Sequence, residues 1–388
     1  MQHELINHSD DLKKLLNEGY ELCIIDGCAV VSHIPYITSQ KEIKYGTIIS
    51  PLELSGNKTK KPENHVIHFS GEYPCDKNGN KITSIEHATI NKKYGGVTCN
   101  YSFSNKPVGG YNDYYEKFTN YINIISSHAI SLNDKVTPNT FMLPTSYDSG
   151  VFEYYDTNSS RAGISEINKK VLNEKIGIVG LGGTGSYILD LIAKTEVKEI
   201  HLFDGDKFYS HNAFRAPGAP TKSTLNKQKY KTNYFKNIYK NMHKGIKSHN
   251  QFITKNNVER FLKTLNFVFI CIDNGDAKKI IINTLNKYNI KYIDCGIDVN
   301  IVENSLIGSI KNTLITNSEN DKLVNRISFA EDEENNNYAS NIQIAELNAI
   351  SANFAVIAWK KLNGIYLDST FKHNLVYDTN DGEIKYED

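Results

Sequence analysis

The segment IGIVGLGGTGS, residues 176–186, constrains this chain more than any other stretch. A short apolar run that reads as a buried strand passes into Gly180, Gly182, Gly183 and Gly185, and then into a helical pattern over residues 185–194. In a strand, glycine turn and helix of this kind, backbone N–H groups can approach a phosphate at the helix N-terminus because no Cβ stands in the way. Asp204 closes the next apolar run, EIHLF, at the place where dinucleotide folds carry a ribose-binding carboxylate. The glycine spacing by itself does not separate an NAD site from an ATP site.

From residue 176 onward, short apolar runs alternate with helical patterns, as in a parallel sheet built from βαβ units. The runs are IGIV at 176–179, EIHLF at 199–203, FVFICI at 267–272 and KYIDC at 291–295. Helices are expected at 185–194, 226–242 and 276–288. A further helix follows an acidic, Asn-rich stretch at 318–337 that reads as a surface loop. Its apolar positions Ile344, Leu347, Ile350, Phe354 and Ile357 recur at helical spacing, and its Ala- and Ser-rich flank suits close packing on another helix. Residues 1–150 have a different texture, with more turns, many aromatics and short alternating runs, and are read as a separate mixed α+β domain. The expected division is therefore 1–150 and 151–388, with the connection at 147–165. The second part would be an α/β domain, Rossmann-like, with a mainly parallel sheet.

After the glycine turn come LFDGD, HNAFR, a lysine-rich helix and FICIDN, in that order. Together with GLGGTGS, this series resembles the ThiF/E1 superfamily of adenylating enzymes over roughly residues 161–364, in a bacterial branch with an additional N-terminal domain. The resemblance implies ATP and Mg²⁺ as cofactors. It places Gly180, Gly182, Gly183, Gly185 and Ser186 at the phosphates and Asp204 at the ribose. Asn212 and Arg215, eight and eleven residues beyond Asp204, would contact nucleotide and phosphates. Within NKQKYK it implies a lysine that neutralises the triphosphate, taken as Lys229, with Lys227 as second choice. Asp273 would hold Mg²⁺ and the reacting phosphate. Arg161 is a further candidate for reaching the nucleotide. The residue types agree with the chemistry: carboxylate attack on the α-phosphorus brings two anions together, and Arg, Lys, Mg²⁺ and helix N–H groups offset the charge that builds.

The implied activity is adenylation of a carboxylate, foremost the C-terminal glycine of a ubiquitin-like protein or a peptide, with release of pyrophosphate. Adenylation of a small molecule or short peptide, and a nucleotide-binding regulator without turnover, are the alternatives. An NAD-dependent oxidoreductase would leave Asn212, Arg215 and Asp273 unexplained. Related domains pair, so the resemblance implies a homodimer. No cysteine follows Cys295, so thioester transfer from the usual later position is not expected, and Cys271 and Cys295 read as buried strand residues. In the N-terminal part, Cys75 lies between Pro74 and an Asp-Lys-Asn-Gly turn and is the candidate for an exposed acyl-carrying thiol, ahead of Cys99. Neither CxxC pairs nor an apolar run of membrane-spanning length occur, and the N-terminus lacks a secretory pattern. Lys plus Arg and Asp plus Glu are both 44, so no net field draws the chain to nucleic acid or an anionic membrane. A cytoplasmic protein is expected.

Overall fold

The apolar runs of the C-terminal half become adjacent strands whose side chains alternate between two cores. In the computed structural model, which describes residues 2–144, 150–316, 324–329, 342–370 and 372–386, the chain divides after Ser165 into two units. Most of the acidic stretch 318–337 and the beginning of the connection at 147–165 lie outside the described residues.

The first unit opens with helices α1 (Gln2–His8) and α2 (Asp10–Asn17). An antiparallel sheet follows, made of β1 (Glu21–Ile25), β2 (Cys28–Ile37), β3 (Ile43–Pro51), β6 (Val66–Ser70), β7 (Glu86–Tyr94) and β8 (Val97–Ser104) in the order β1-β2-β3-β6-β8-β7. A two-stranded ribbon, β4 (Leu54–Ser55) and β5 (Lys58–Thr59), sits apart from it. Helix α3 (Tyr114–Leu132), capped by Asp113, which accepts from Glu116 N at 2.7 Å, buries Phe118, Tyr121, Ile122, Ile125 and Ala129 in the core it shares with the sheet. Lys117 goes into the same face and donates to Ser50 Oγ and Asn64 O, and burial lowers its ammonium to about 8. A short helix, α4 (Thr157–Ala162), ends the unit.

Cys75 departs from expectation. It bridges to Ile37 and Lys81 and is 1% exposed, and burial pushes its thiol up. The turn that follows it is open, but backbone pairing draws the cysteine itself inward. Cys99 is fully buried, with its thiol raised to about 11. Neither has the exposed, electropositive surroundings that make a thiol reactive.

The second unit begins, after α5 (Ser165–Asn168), with β9 (Lys175–Val179), α6 (Thr184–Ile192) and β10 (Glu199–Phe203). Short helices α7 (Ser210–Ala213) and α8 (Lys222–Asn226) lead to α9 (Lys231–Tyr239) and β11 (Ile246–His249). Helix α10 (Val258–Leu262), β12 (Phe267–Ile270), α11 (Gly275–Lys287), β13 (Lys291–Val302), β14 (Ser305–Ile315), α12 (Ala345–Leu362), β15 (Asn374–Asp378) and β16 (Ile384–Tyr386) complete it. The sheet order is β11-β10-β9-β12-β13-β14-β15-β16, parallel from β11 to β13 and antiparallel beyond. Ile178, Phe267 and Phe269 face a core with α6 and α12, while Val179, Val268 and Ile270 face the opposite core with α10 and α11. Strands covered on both faces read as near-continuous apolar runs, which is why these were visible in the sequence.

Helix α12 buries Leu347, Asn348, Ser351, Ala352, Ala355, Val356 and Trp359, and its closest helical neighbour is α6. The small-residue flank is thus the inward face, and Ile357 of the expected apolar stripe is exposed. Small side chains let two helix backbones approach, so this flank can bury more surface against α6 than the larger residues beside it.

Just before β11, His243 is fully buried; its Nε2 donates to Val197 O at 2.9 Å and its Nδ1 accepts from Gly245 N at 3.0 Å. This arrangement requires the neutral ring, since a second proton would face an N–H group, and burial lowers the pKa to about 4. The folded pKa lies below the unfolded value of ~6.5, so the stabilisation is complete above ~6.5 and is lost as pH falls toward 4. Thermal melts from pH 7 to pH 4.5 should show the C-terminal unit losing roughly 2 kcal/mol through this group. His243→Gln should flatten that dependence; an unchanged slope would remove His243 as its cause.

Candidate functional site

The two strands at the centre of the parallel sheet, β9 and β12, are neighbours whose following connections run to opposite sides. Chain reversal of this kind opens a crevice beyond the carboxyl ends of the strands, where open α/β sheets bind ligands. The glycine-rich turn after β9 and the CIDN segment after β12 face each other there.

Each glycine of the turn has a separate reason. Gly180 has φ +87°, and a Cβ on it would stand 2.4 Å from Cys271 O. A Cβ on Gly183 would meet the Asn348 side chain at 2.1 Å, and one on Gly185 would meet Gly180 O at 1.9 Å. Gly182 faces open space, with Arg215 Nη2 no closer than 3.9 Å. Helix α6 therefore starts at the crevice without a side-chain cap, leaving its first N–H groups available to an anion. Ser186 does not join them: its hydroxyl is fully buried and donates to Gly183 O at 2.6 Å and Gly182 O at 3.1 Å, tying the loop to the helix. From α12, Asn348 accepts from Thr184 Oγ1 at 2.9 Å and donates to Ile344 O at 2.9 Å.

Asp204, at the end of β10, is 6% exposed and accepts from Leu181 N at 2.7 Å and from Asp206 N at 2.8 Å. Burial raises its pKa, opposed chiefly by Lys231, whose Nζ lies 3.6 Å away and 2.8 Å from Asp206 Oδ2. Asn212 is fully buried in α7; its Oδ1 accepts from Tyr209 N, while its Nδ2 has no partner among the described residues. Arg215 lines the crevice with Nε buried and likewise unpartnered, and burial lowers its pKa against the pull of Asp273, Asp204 and Asp206. Asp273 lies at the end of β12, and the next residue, Asn274, caps α11 by accepting from Ala277 N at 2.8 Å.

The lysine differs from expectation. Lys229 and Lys227 have exposed side chains and do not line the crevice; Lys229 contributes only its carbonyl, to Phe208 N. Lys231, the first residue of α9, is the one in the cavity, 7% exposed. Spacing counted from Arg215 misses it because the 216–221 segment and α8 lengthen the path. Its position at a helix start was the available signal. Arg161 belongs to the first unit, where its guanidinium donates to Asn17 O at 2.7 Å.

Gly180, Gly182, Asp204, Arg215, Lys231 and Asp273 line one cavity of 490 Å³, together with the apolar side chains of Phe203, Phe252, Ile253 and Ala277. This size and mixture of apolar wall and few charged groups suit a small-molecule site. A second cavity of 320 Å³ shares Gly182, Cys271, Ile272, Asp273 and Gln343 with the first and continues past Gly296 and Asp298 of β13.

Fold and site together define an α/β domain of the doubly wound kind, with a crevice beyond the carboxyl ends of its central strands. Residues 155–342 match the model of the ThiF family, while residues 10–157 match the model described as Domain of unknown function (DUF6791). Over 154 residues the chain is 26% identical to Ubiquitin-like modifier-activating enzyme 5 of Drosophila ananassae, and 27% identical to that of Drosophila melanogaster. Each alignment covers 37% of this chain, which spans 38% of the length of these curated relatives. Among solved structures, PaaA is similar with a TM-score of 0.49 and 16% identity over 70% of this chain and 85% of its own. E. coli MccB with ATP is similar with a TM-score of 0.45 and 17% identity over 74% and 80%. Among the described residues no helix is long and apolar enough to cross a membrane.

Proposed function

We propose that the C-terminal unit binds ATP with Mg²⁺ and adenylates a carboxylate, the C-terminal glycine of a ubiquitin-like protein or peptide, releasing pyrophosphate. The observation that carries this reading is the convergence of Arg215, Lys231 and Asp273, from three separate elements, on one cavity beside the uncapped start of α6. A nucleotide fits the residues present. An unpartnered buried donor on Arg215 awaits an acceptor, Gly182 leaves room for phosphate, and Phe203, Phe252, Ile253 and Ala277 offer apolar lining for a base.

In this reading Arg215 and Lys231 offset the charge that develops when a carboxylate attacks phosphorus, and the N–H groups of α6 add to them. Asp204, held by Leu181 N and Asp206 N, presents a fixed carboxylate toward the ribose. Asp273 would share Mg²⁺ with phosphate oxygens, as an ion that keeps few protein ligands requires. The second cavity meets the first at Asp273 and supplies a route for the carboxylate-bearing segment. The ThiF match supports adenylation, and the names of the curated relatives support a ubiquitin-like substrate. The working assembly is taken to be a homodimer in the cytoplasm, on the family resemblance.

Paired lysine variants test the site. Lys231→Met should weaken ATP binding by about 10- to 100-fold, the worth of a charge-assisted contact, and Lys229→Met should leave it within about twofold. Calorimetric titration of both, with melts to confirm folding, decides the matter; a loss on Lys229→Met alone would refute the assignment.

A further inference from the structure

β12 and β13 are parallel neighbours in register at Ile270 and Asp294. One residue further on, Cys271 and Cys295 follow on these neighbouring strands, and both line the same cavity. On the other side of β12, Cys271 N pairs with Val179 O of β9 at 2.8 Å, which fixes its backbone beside the glycine turn. The remaining cysteines all lie in the first unit and are buried; Cys271 alone is partly exposed among the described residues. It lines both the nucleotide cavity and the second cavity, and Cys295 lines the second.

We propose that Cys271 and Cys295 are a peroxide-sensitive pair whose disulfide shuts down the nucleotide site. The spacing of adjacent strands, ~4.8 Å, falls within the Cα separation a disulfide accepts. Hydrogen peroxide is the oxidant. The Cys271 thiolate attacks one peroxide oxygen, the O–O bond breaks, and the departing hydroxide takes up a proton as water. The Cys295 sulfur then attacks the sulfenic sulfur of Cys271, the S–O bond breaks, and a second water leaves with the thiol proton. Two thiols lose two electrons and the peroxide gains them. Cys271, open to the cavities, is the attacking residue; Cys295, enclosed beside it, resolves the sulfenic acid.

The bond acts on the cleft through two neighbours. Cys271 O backs directly onto Gly180, and Asp273 follows two residues later. Drawing the sulfurs to ~2.05 Å shifts both, and a displacement near 1 Å at such groups costs on the order of 100-fold. This coupling rests on the function proposed above, whereas the disulfide does not.

The test uses the full chain, fully reduced and then treated with hydrogen peroxide, with and without ATP. Non-reducing peptide mapping should find Cys271 linked to Cys295, more slowly when ATP fills the cavity. ATP affinity should fall by at least roughly tenfold and return with dithiothreitol. Cys295→Ser should yield no linked peptide, and Cys99→Ser should still yield it. Absence of the linked peptide, or its presence with unchanged ATP affinity, overturns the proposal. Reduced protein that does not bind ATP at all would refute the nucleotide reading and the coupling, while the peptide map would still decide the disulfide.

Discussion

Replacing Arg215 by alanine is expected to lower ATP–pyrophosphate exchange by about 10³-fold, with a smaller loss in ATP affinity. The guanidinium lines the cavity half-buried, in the electrostatic pull of Asp273, Asp204 and Asp206, with Nε directed at no acceptor among the described residues. An arginine kept only for stability would satisfy its donors within the protein, because a buried unpaired donor is costly. The expected signature is therefore a fall in turnover with the fold retained. Arg215→Lys should recover little, since an ammonium does not reproduce the planar fork that grips phosphate oxygens. Steady-state exchange over a range of ATP concentrations checks both; full activity in Arg215→Ala would contradict the role.

Gly185→Ala carries the largest expected effect on stability. A methyl at this position would lie 1.9 Å from the carbonyl oxygen of Gly180, which is backbone and cannot swing aside. Helix α6 must withdraw from β9, and overpacking of this kind costs about 3 kcal/mol. For a unit of this size that is a fall of roughly 6–12 °C in the melting transition. ATP binding should be lost with it, because the N–H groups at the helix start move away from the crevice. Differential scanning calorimetry checks the first effect and titration the second; Gly182→Ala serves as comparison, since a Cβ there meets nothing closer than 3.9 Å.

What could be read from the residues, and what could not, follows from burial. β9, β10, β12 and β13 are covered on both faces, so their apolar runs stood out, and the glycine turn between β9 and α6 was legible because only glycine fits there. β11, with the sequence IKSH, is an edge strand with three of its four residues polar, and β14 to β16 extend the sheet antiparallel with polar residues interrupting their apolar ones. None of these four was anticipated. In α12 the periodicity of large residues pointed to one stripe, while close approach to α6 selected the small residues beside it.

At the site, Asp204, Arg215 and Asp273 line one crevice, with Asp204 and Asp273 just beyond strand ends, whereas Asn212 is fully buried in α7 and does not line it. Lys231 was missed because the path from Arg215 includes a loop and α8, whose lengths no motif dictates. Ser186 was assigned to the ligand, yet its hydroxyl lies one helical turn from Gly182 and returns to the loop carbonyls, a local bond that a serine in a first helical turn readily makes. The exposure of Cys75 was misjudged from a turn sequence, because its bridge to Ile37 is a contact between distant parts of the chain.

The most direct test of the account is ATP–pyrophosphate exchange by the purified full chain, with ubiquitin-like proteins ending in glycine added one at a time. Exchange that requires Mg²⁺, appears only with a partner whose C-terminal glycine is intact, and disappears in Asp273→Ala is the predicted result. Tight ATP binding with no exchange for any carboxylate, or exchange unaffected by Asp273→Ala, would contradict it.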